Sequence, residues 1–457
     1  MKRMKYTVYV AAWLCFIGLF AACAPDEKDN PVSPVDQEAA VNRQVLISHI
    51  ENDAQLVADN LSAESLNASS QAFAQLLEMI ERDQRFIVNM RTVLAAIAQK
   101  KALAGISPVM AGSELAKMGY LAYITADNSN FGVRVILDGK GGSRLLSADH
   151  QEFIFPATVD GIGTTLFKLI VKNSNDYYQT VSDANIPNVN RLACINQLPK
   201  SFTMTLTGLI DNKEQTLSES VVKLELPKST KSEYVSLDAR SFRITGKQNT
   251  YLNDQNESTL DFSLSMEDDD MVLDYSFLCN GKDIVNCNAQ MVLPKESSFI
   301  GQMSLDALNV ADLKAFTIRI LNDLTLTGTV ADGAAFATDF ANIIKNRQAV
   351  DSADALYEQV ESLNKSCSLQ LSSVQTTMPE TVKFCIVEKD NQYTIEPGLK
   401  DLNSDDIIPL SQLVDSQTME SINKPFNQSF TPAGNSASST LRFYSVFMQM
   451  MPLTGEK

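Results

Sequence analysis

The stretch Leu260-Asp261-Phe262-Ser263-Leu264-Ser265-Met266 alternates apolar and polar residues without a break. Successive side chains on a strand point to opposite faces. The pattern therefore puts Leu260, Phe262, Leu264 and Met266 on one face and three polar groups on the other. A helix would scatter both sets around its circumference. Phe202-Thr203-Met204-Thr205-Leu206-Thr207 and Leu324-Thr325-Leu326-Thr327 repeat the alternation, and Phe131-Gly132-Val133-Arg134-Val135-Ile136-Leu137 reads as a further strand. A sheet with one buried and one wet face is antiparallel by preference. Asp211-Asn212, Asn280-Gly281 and Asp332-Gly333 supply turn chemistry between the runs.

Residues 37–106 carry a different period. Val41, Val45, Leu46 and Ile50 share a helical face, and after a break near Ser62–Asn67 so do Phe73, Leu76, Leu77, Ile80, Ile87, Met90, Leu94 and Ile97. Lys100 and Lys101 suit the negative end of a helix, Gly105 its cap and Pro108 its stop. The simplest object is a helical hairpin, and its wide apolar stripe suits packing on the body better than a free coiled coil. The expected class is therefore α+β, an N-terminal helical hairpin followed by one or two antiparallel β-sheet domains. Those domains are expected over 115–298 and 299–457, the second with a helix near 350–366. A chain of 457 residues exceeds one ordinary core. Thr205-Leu206-Thr207-Gly208 and Thr325-Leu326-Thr327-Gly328 recur, by duplication or by chance.

At the N-terminus, Lys2, Arg3 and Lys5 precede an uncharged run from Tyr6 to Ala22, which closes on Ala21-Ala22-Cys23. The run is shorter than the ~20 residues of a spanning helix. It resembles the lipobox of bacterial lipoproteins. That resemblance implies a signal peptide over 1–22, cut before Cys23, and acyl chains on Cys23 that tie the protein to a membrane. Each buried methylene contributes about 0.8 kcal/mol, so several chains anchor where one does not. Ala24, standing where aspartate would mark inner-membrane retention, points to the outer membrane. Asp26, Glu27 and Asp29 resemble the export signal of Bacteroidetes surface lipoproteins. The implied place is the outer membrane, periplasm-facing or surface-exposed. Pro25, Pro31 and Pro34 suit an extended linker over 23–36.

With 55 acidic against 38 basic residues and a formal charge of −17, the chain repels phosphates, and no nucleic-acid partner is expected. His49 falls in the first predicted helix. His150, beside Asp149 and Glu152, is left as the candidate base and reads better as an exposed loop residue. Histidine-rich and Cys-x-x-Cys patterns are absent, so no metal or cofactor is expected. Gly139-Lys140-Gly141-Gly142-Ser143 lacks phosphate-loop spacing. Trp13, the sole tryptophan, belongs to the leader, which weakens a sugar-stacking role and leaves Tyr177-Tyr178 as a substitute. Of the cysteines, Cys194, Cys279, Cys287, Cys367 and Cys385 remain beyond Cys23. A hairpin reversing near Thr376–Pro379 would bring Cys367 and Cys385 face to face, as a disulfide or as two buried thiols. No catalytic residue is assigned. The expected function is non-catalytic binding or a structural role, with a protein, glycan or amphiphile as ligand. The alternative is a glycan-binding accessory lipoprotein of an outer-membrane uptake system, which rests on the resemblance alone. A carboxylate-based hydrolase ranks third.

Overall fold

The computed structural model describes residues 34–60, 64–82, 132–137, 142–146, 150–174, 176–181, 196–226, 235–236, 241–252, 255–293, 312–336, 338–339, 352–389, 392–415, 417–418 and 421. The leader expected over 1–22, Cys23 and the helix predicted beyond Arg82 lie outside these residues.

Helix α1 is Pro34–Asn60 and α2 is Glu64–Arg82. Pro34 sits in the first turn, where a missing N–H is tolerated. The strands are β1 (Gly132–Ile136), β2 (Gly142–Leu146), β3 (Gln151–Val159), β4 (Gly163–Asn173), β5 (Tyr177–Val181), β6 (Asn196–Pro199), β7 (Ser201–Ile210), β8 (Lys213–Glu225), β9 (Val235–Ser236), β10 (Phe242–Leu252) and β11 (Gln255–Glu267). They continue as β12 (Asp270–Cys279), β13 (Lys282–Val292), β14 (Asp312–Ile320) and β15 (Leu324–Val330). After α3 (Asp354–Ser366) come β16 (Cys367–Ser372), β17 (Glu380–Lys389), β18 (Gln392–Lys400) and β19 (Ile407–Pro409).

The chain divides into two compact units. One holds α1, α3 and β12–β19; the other holds α2 and β1–β11. In the α2 unit the order is β11-β10-β8-β7-β4-β3-β1-β2, with β5, β6 and β9 in a small sheet of order β6-β5-β9. Pairing is antiparallel except for β1 with β3 and β5 with β9, which run parallel. The inner face carries Phe153, Phe167, Leu169, Leu206 and Ile244, all fully buried. Helix α2 lies against β3, β8, β10 and β11 and buries Phe73, Leu76, Leu77 and Ile80. Its Gln75 amide donates to Thr158 O at 2.7 Å and accepts from Thr158 N, while the Gln71 amide donates to the Asp160 carboxylate Oδ2 at 2.7 Å and accepts from Asp160 N.

In the α1 unit, β12 to β19 pair in sequence order as an antiparallel meander. Helix α1 packs against β15 through a face that includes buried Leu46, Ile50, Ala54 and Val57. Helix α3 lies on β16, β17 and β18. Asn280-Gly281 forms a left-handed two-residue turn, as Asp211-Asn212 does between β7 and β8 in the α2 unit. Asp332-Gly333 instead begins a short helical turn, and the Asp332 carboxylate accepts from Ala335 N at 2.9 Å.

The α+β expectation is corrected. The protein is mostly β: strand makes up 56% of the described residues and helix 26%, and the sheet is mixed. A 3.6-residue period shows that a helix has an apolar face, but it does not say what covers that face. Here α1 and α2 belong to different units, and each spends its apolar face on strands. Two strands outrun the windows that revealed them: β11 is 13 residues against seven and β7 is 10 against six.

The recurring Thr-Leu-Thr-Gly has a shared packing role. Gly208 stands opposite Phe167, and Gly328 opposite Phe316. Gly246 meets Phe262 in the same way. Each ring lies over the glycine, and a Cβ at Gly246 or Gly328 would fall inside the ring's van der Waals envelope. Both rings are buried, so they have little room to swing aside. Gly246→Ala and Gly328→Ala are each expected to cost about 1–3 kcal/mol in urea denaturation; a neutral result would show that the rings are loosely held.

Candidate functional site

The outer face of the α1 unit is a lattice of short polar side chains. One row crosses six strands: Asp274, Asn288, Thr317, Thr327, Gln370 and Thr381 stand opposite one another from β12 to β17. At ~4.8 Å between strands, the row runs roughly 24 Å. Ser276, Asn286, Arg319, Thr325 and Ser372 make the next row. Gln290, Ala315, Thr329 and Ser368 make a third on the other side. All are exposed or half-buried, and none is aromatic. Asn288 donates to Asp274 Oδ1 at 2.6 Å, which fixes one amide of the row. Hydroxyls and amides both donate and accept, so such a face suits neutral, hydrogen-bonding ligands.

The same unit contains two polar clasps on α1 that sequence reasoning missed. In the first, Asn42 Oδ1 accepts from Thr377 N at 2.8 Å while its amide donates to Met378 O at 3.0 Å. Arg43 Nη2 donates to Glu380 Oε2 at 2.7 Å and also to the Lys400 carbonyl. Arg43 and Glu380 are both buried. In the second, His49 Nδ1 bonds to Asp323 Oδ2, and Val374 N donates to the other Asp323 oxygen at 3.2 Å. The hydrogen bond to Asp323 raises the His49 pKa against the opposing effect of burial. Asp53, one turn on, is 4% exposed. Burial first and the Asp323 charge second push its carboxyl up to about 6. Leu321 and Asn322, just before Asp323, both hold positive φ, which is costly for a leucine and aims the aspartate at the helix.

His150 belongs to the α2 unit and is half-buried. Its Nε2 bonds to Glu152 Oε1 at 2.9 Å, and Arg134 Nε donates to Glu152 Oε2. Burial opposes the charged form of Glu152, but the hydrogen bonds from Arg134 and His150 outweigh it and hold the carboxyl below its usual range. A histidine gripping an ionised, arginine-paired carboxylate is a structural tie on β1 and β3. Tyr177 and Tyr178 lie in β5, next to β6.

Cys367 and Cys385 are free thiols. The β16–β17 register sets Leu369 opposite Val382, so extending it places Cys367 opposite Phe384, one residue from a facing pair. Cys367 Sγ instead donates to Leu363 O at 3.2 Å, and Cys385 Sγ to Glu396 O at 3.5 Å. Burial pushes both thiols up to about 12, which keeps them protonated and unreactive. Cys287 is disulfide-bonded. Cys23 lies outside the described residues. Among the described residues, no group of three or more His, Cys, Asp or Glu side chains is placed to hold a metal ion. No described helix is long and apolar enough to cross a membrane.

No family model matches the chain, and no curated protein does either. A crystal structure of a porin-like protein from Bacteroides vulgatus is similar at 10% identity over 42% of this chain and 90% of that one, with a TM-score of 0.15. A likeness of that size carries no argument about fold or function.

Proposed function

We propose that the protein is an outer-membrane lipoprotein, held by acyl chains on Cys23, that binds a ligand and catalyses no reaction. The carrying observation is the polar lattice on the α1 unit: three rows of exposed or half-buried residues, mostly hydroxyls and amides, interrupted by Asp274, Arg319 and Ala315. Each neutral hydrogen bond nets only about 0.5–1.5 kcal/mol. Affinity on such a face must come from many contacts in series, which favours an extended ligand over a small one. The titratable groups support the same reading, since His49, Arg43, Glu380, His150 and Glu152 are all engaged in ties between elements.

A glycan-binding accessory role is the second reading. It is favoured by the match between rows of hydroxyls and amides and the hydroxyls of a sugar chain, and opposed by the want of an aromatic platform on those rows. Thermal shift of the full chain against neutral polysaccharides, lipid vesicles and outer-membrane protein extracts tests both. The expected result is a rise in Tm with one of these that vanishes in Thr317→Arg/Thr327→Arg, which fills the centre of the lattice. A rise with polysaccharide alone selects the glycan reading. A rise that survives the double substitution removes the lattice from the account.

The anchor is tested separately. Mass spectrometry of the native product is expected to show a chain beginning at acylated Cys23, and Cys23→Ala is expected to move the protein from the membrane to the soluble fraction. A mature chain starting elsewhere would overturn the anchoring.

A further inference from the structure

Among the described residues of the α1 unit, Val41, Leu56, Tyr357, Val374 and Met378 are large apolar side chains left exposed. Three of them share one corner. Asn42 binds Thr377 N at 2.8 Å and Met378 O at 3.0 Å, so Val41, one residue back in α1, lies where the β16–β17 loop meets the helix. At the other end of the loop, Val374 N donates to Asp323, whose second oxygen meets His49. The loop therefore follows α1 from residue 42 to residue 49, roughly 10 Å. Val374 is 69% exposed, Val41 59% and Met378 46%. Apolar side chains scattered singly are ordinary on a surface, but three gathered on one loop and its helix make a patch.

The same corner carries little charge, although the chain as a whole stands at −17. Residues 374–379 contain no ionisable side chain. Val41, Gln44, Val45 and Ser48, spaced for one face of α1, contain none either, and all four are exposed or half-buried. The charges beside the loop are paired, Arg43 with Glu380 and His49 with Asp323. Glu38, a turn before Val41, borders the patch.

The course of the chain says what covers it. Helix α1 begins at Pro34, eleven residues after Cys23. Eleven residues reach at most about 38 Å, and Val41 lies about 10 Å further along the helix. With Cys23 acylated, the corner belongs to the end of α1 nearest the anchor and stays within about 50 Å of the lipid surface. A tether that short holds it there at high effective concentration, so a small contact suffices. Apolar side chains enter the boundary between headgroups and acyl chains readily, whereas an unpaired charge resists it.

We propose that Val41, Val374 and Met378 form a membrane-contact surface, which rests on the bilayer that holds the acyl chains and takes neutral phospholipid as its partner. The inference depends on the anchoring reading and adds an orientation to it: the β16–β17 loop faces the lipid.

The test uses the acylated full-length product reconstituted in phosphatidylcholine vesicles. Trp13 is the sole tryptophan and leaves with the leader, so one introduced into the mature chain reports alone. Val374→Trp and Met378→Trp, both at exposed positions, are expected to lose emission about twofold when brominated phosphatidylcholine replaces the ordinary lipid. Thr329→Trp, on the outer face of β15, is expected to keep its emission. Flotation of the same vesicles reads the anchor by itself. Protein that floats with its tryptophan unquenched at both 374 and 378 would overturn the inference and leave the anchor standing. Equal quenching at 374, 378 and 329 would overturn it as well, by showing no preferred face. Emission changes that appear only when protein is crowded on the vesicle would give the corner to a second copy instead. Protein that does not float removes the anchor and this inference with it.

Discussion

Arg43→Ala is expected to destabilise the α1 unit by about 3–5 kcal/mol, measured by urea denaturation of the full chain followed by circular dichroism. The size follows from what is left behind. Glu380 is 8% exposed and sits on β17 under the helix. Its Oε2 takes a 2.7 Å bond from the same guanidinium nitrogen that serves the Lys400 carbonyl. Truncating Arg43 strands a carboxylate and a carbonyl together. The pair itself is not a large net gain, because burying two charges costs nearly what their attraction returns. Arg43→Met/Glu380→Met is therefore expected to recover at least half of the loss, since no charge then remains buried. Arg43→Lys should fall between, keeping the charge but carrying it on a different stem that does not hold a donor where Nη2 meets its two acceptors. A cost below about 1 kcal/mol for Arg43→Ala would mean that Glu380 finds water, and the pair would then not fasten the helix.

These clasps were nearly invisible in the sequence. Arg43 and Glu380 are 337 positions apart, and His49 and Asp323 are 274 apart. The trace that existed was polar residues inside an apolar helical stripe. Asn42, Arg43 and Asp53 share the buried face with Leu46, Ile50 and Ala54, and arginine or aspartate is seldom buried unless paired. Strands were legible because alternation is local: Leu260 to Met266 reads as one face and forms one face. The lattice was only half legible. The threonines of β15 were plain, but their alignment with Asn288, Gln370 and Thr381 depends on registers that turns set one strand at a time. The same sensitivity moved Cys367 and Cys385 one residue out of step.

Acidification from pH 8 to pH 5 is expected to tighten the second clasp, which is unusual for a domain rich in carboxylates. Two groups drive it in the same direction. His49 has a folded pKa above its usual 6.5, because it donates to Asp323. Its contribution is fully present below pH 6.5 and is lost as pH rises through the folded value. Asp53 has a folded pKa of about 6 against 3.8 in the open chain. Between those values the folded state holds more protons than the unfolded one, so stability falls as pH rises from 3.8 to about 6 and stays reduced above. Above pH 7 a buried Asp53 carboxylate faces Asp323 across a histidine that is losing its charge. Near pH 5 Asp53 is neutral, and His49 and Asp323 form an ion pair. Two pKa units would correspond to about 3 kcal/mol, but water still reaches His49 and Asp323, so about 1–2 kcal/mol is expected from Asp53. Asp53→Asn should raise stability at pH 8 by about that amount and change little at pH 5, flattening the profile. His49→Gln should lower stability more at pH 5 than at pH 8. Urea midpoints of the parent and both variants at the two pH values decide the matter, and an Asp53→Asn profile parallel to the parent's would remove Asp53 as a proton-binding group.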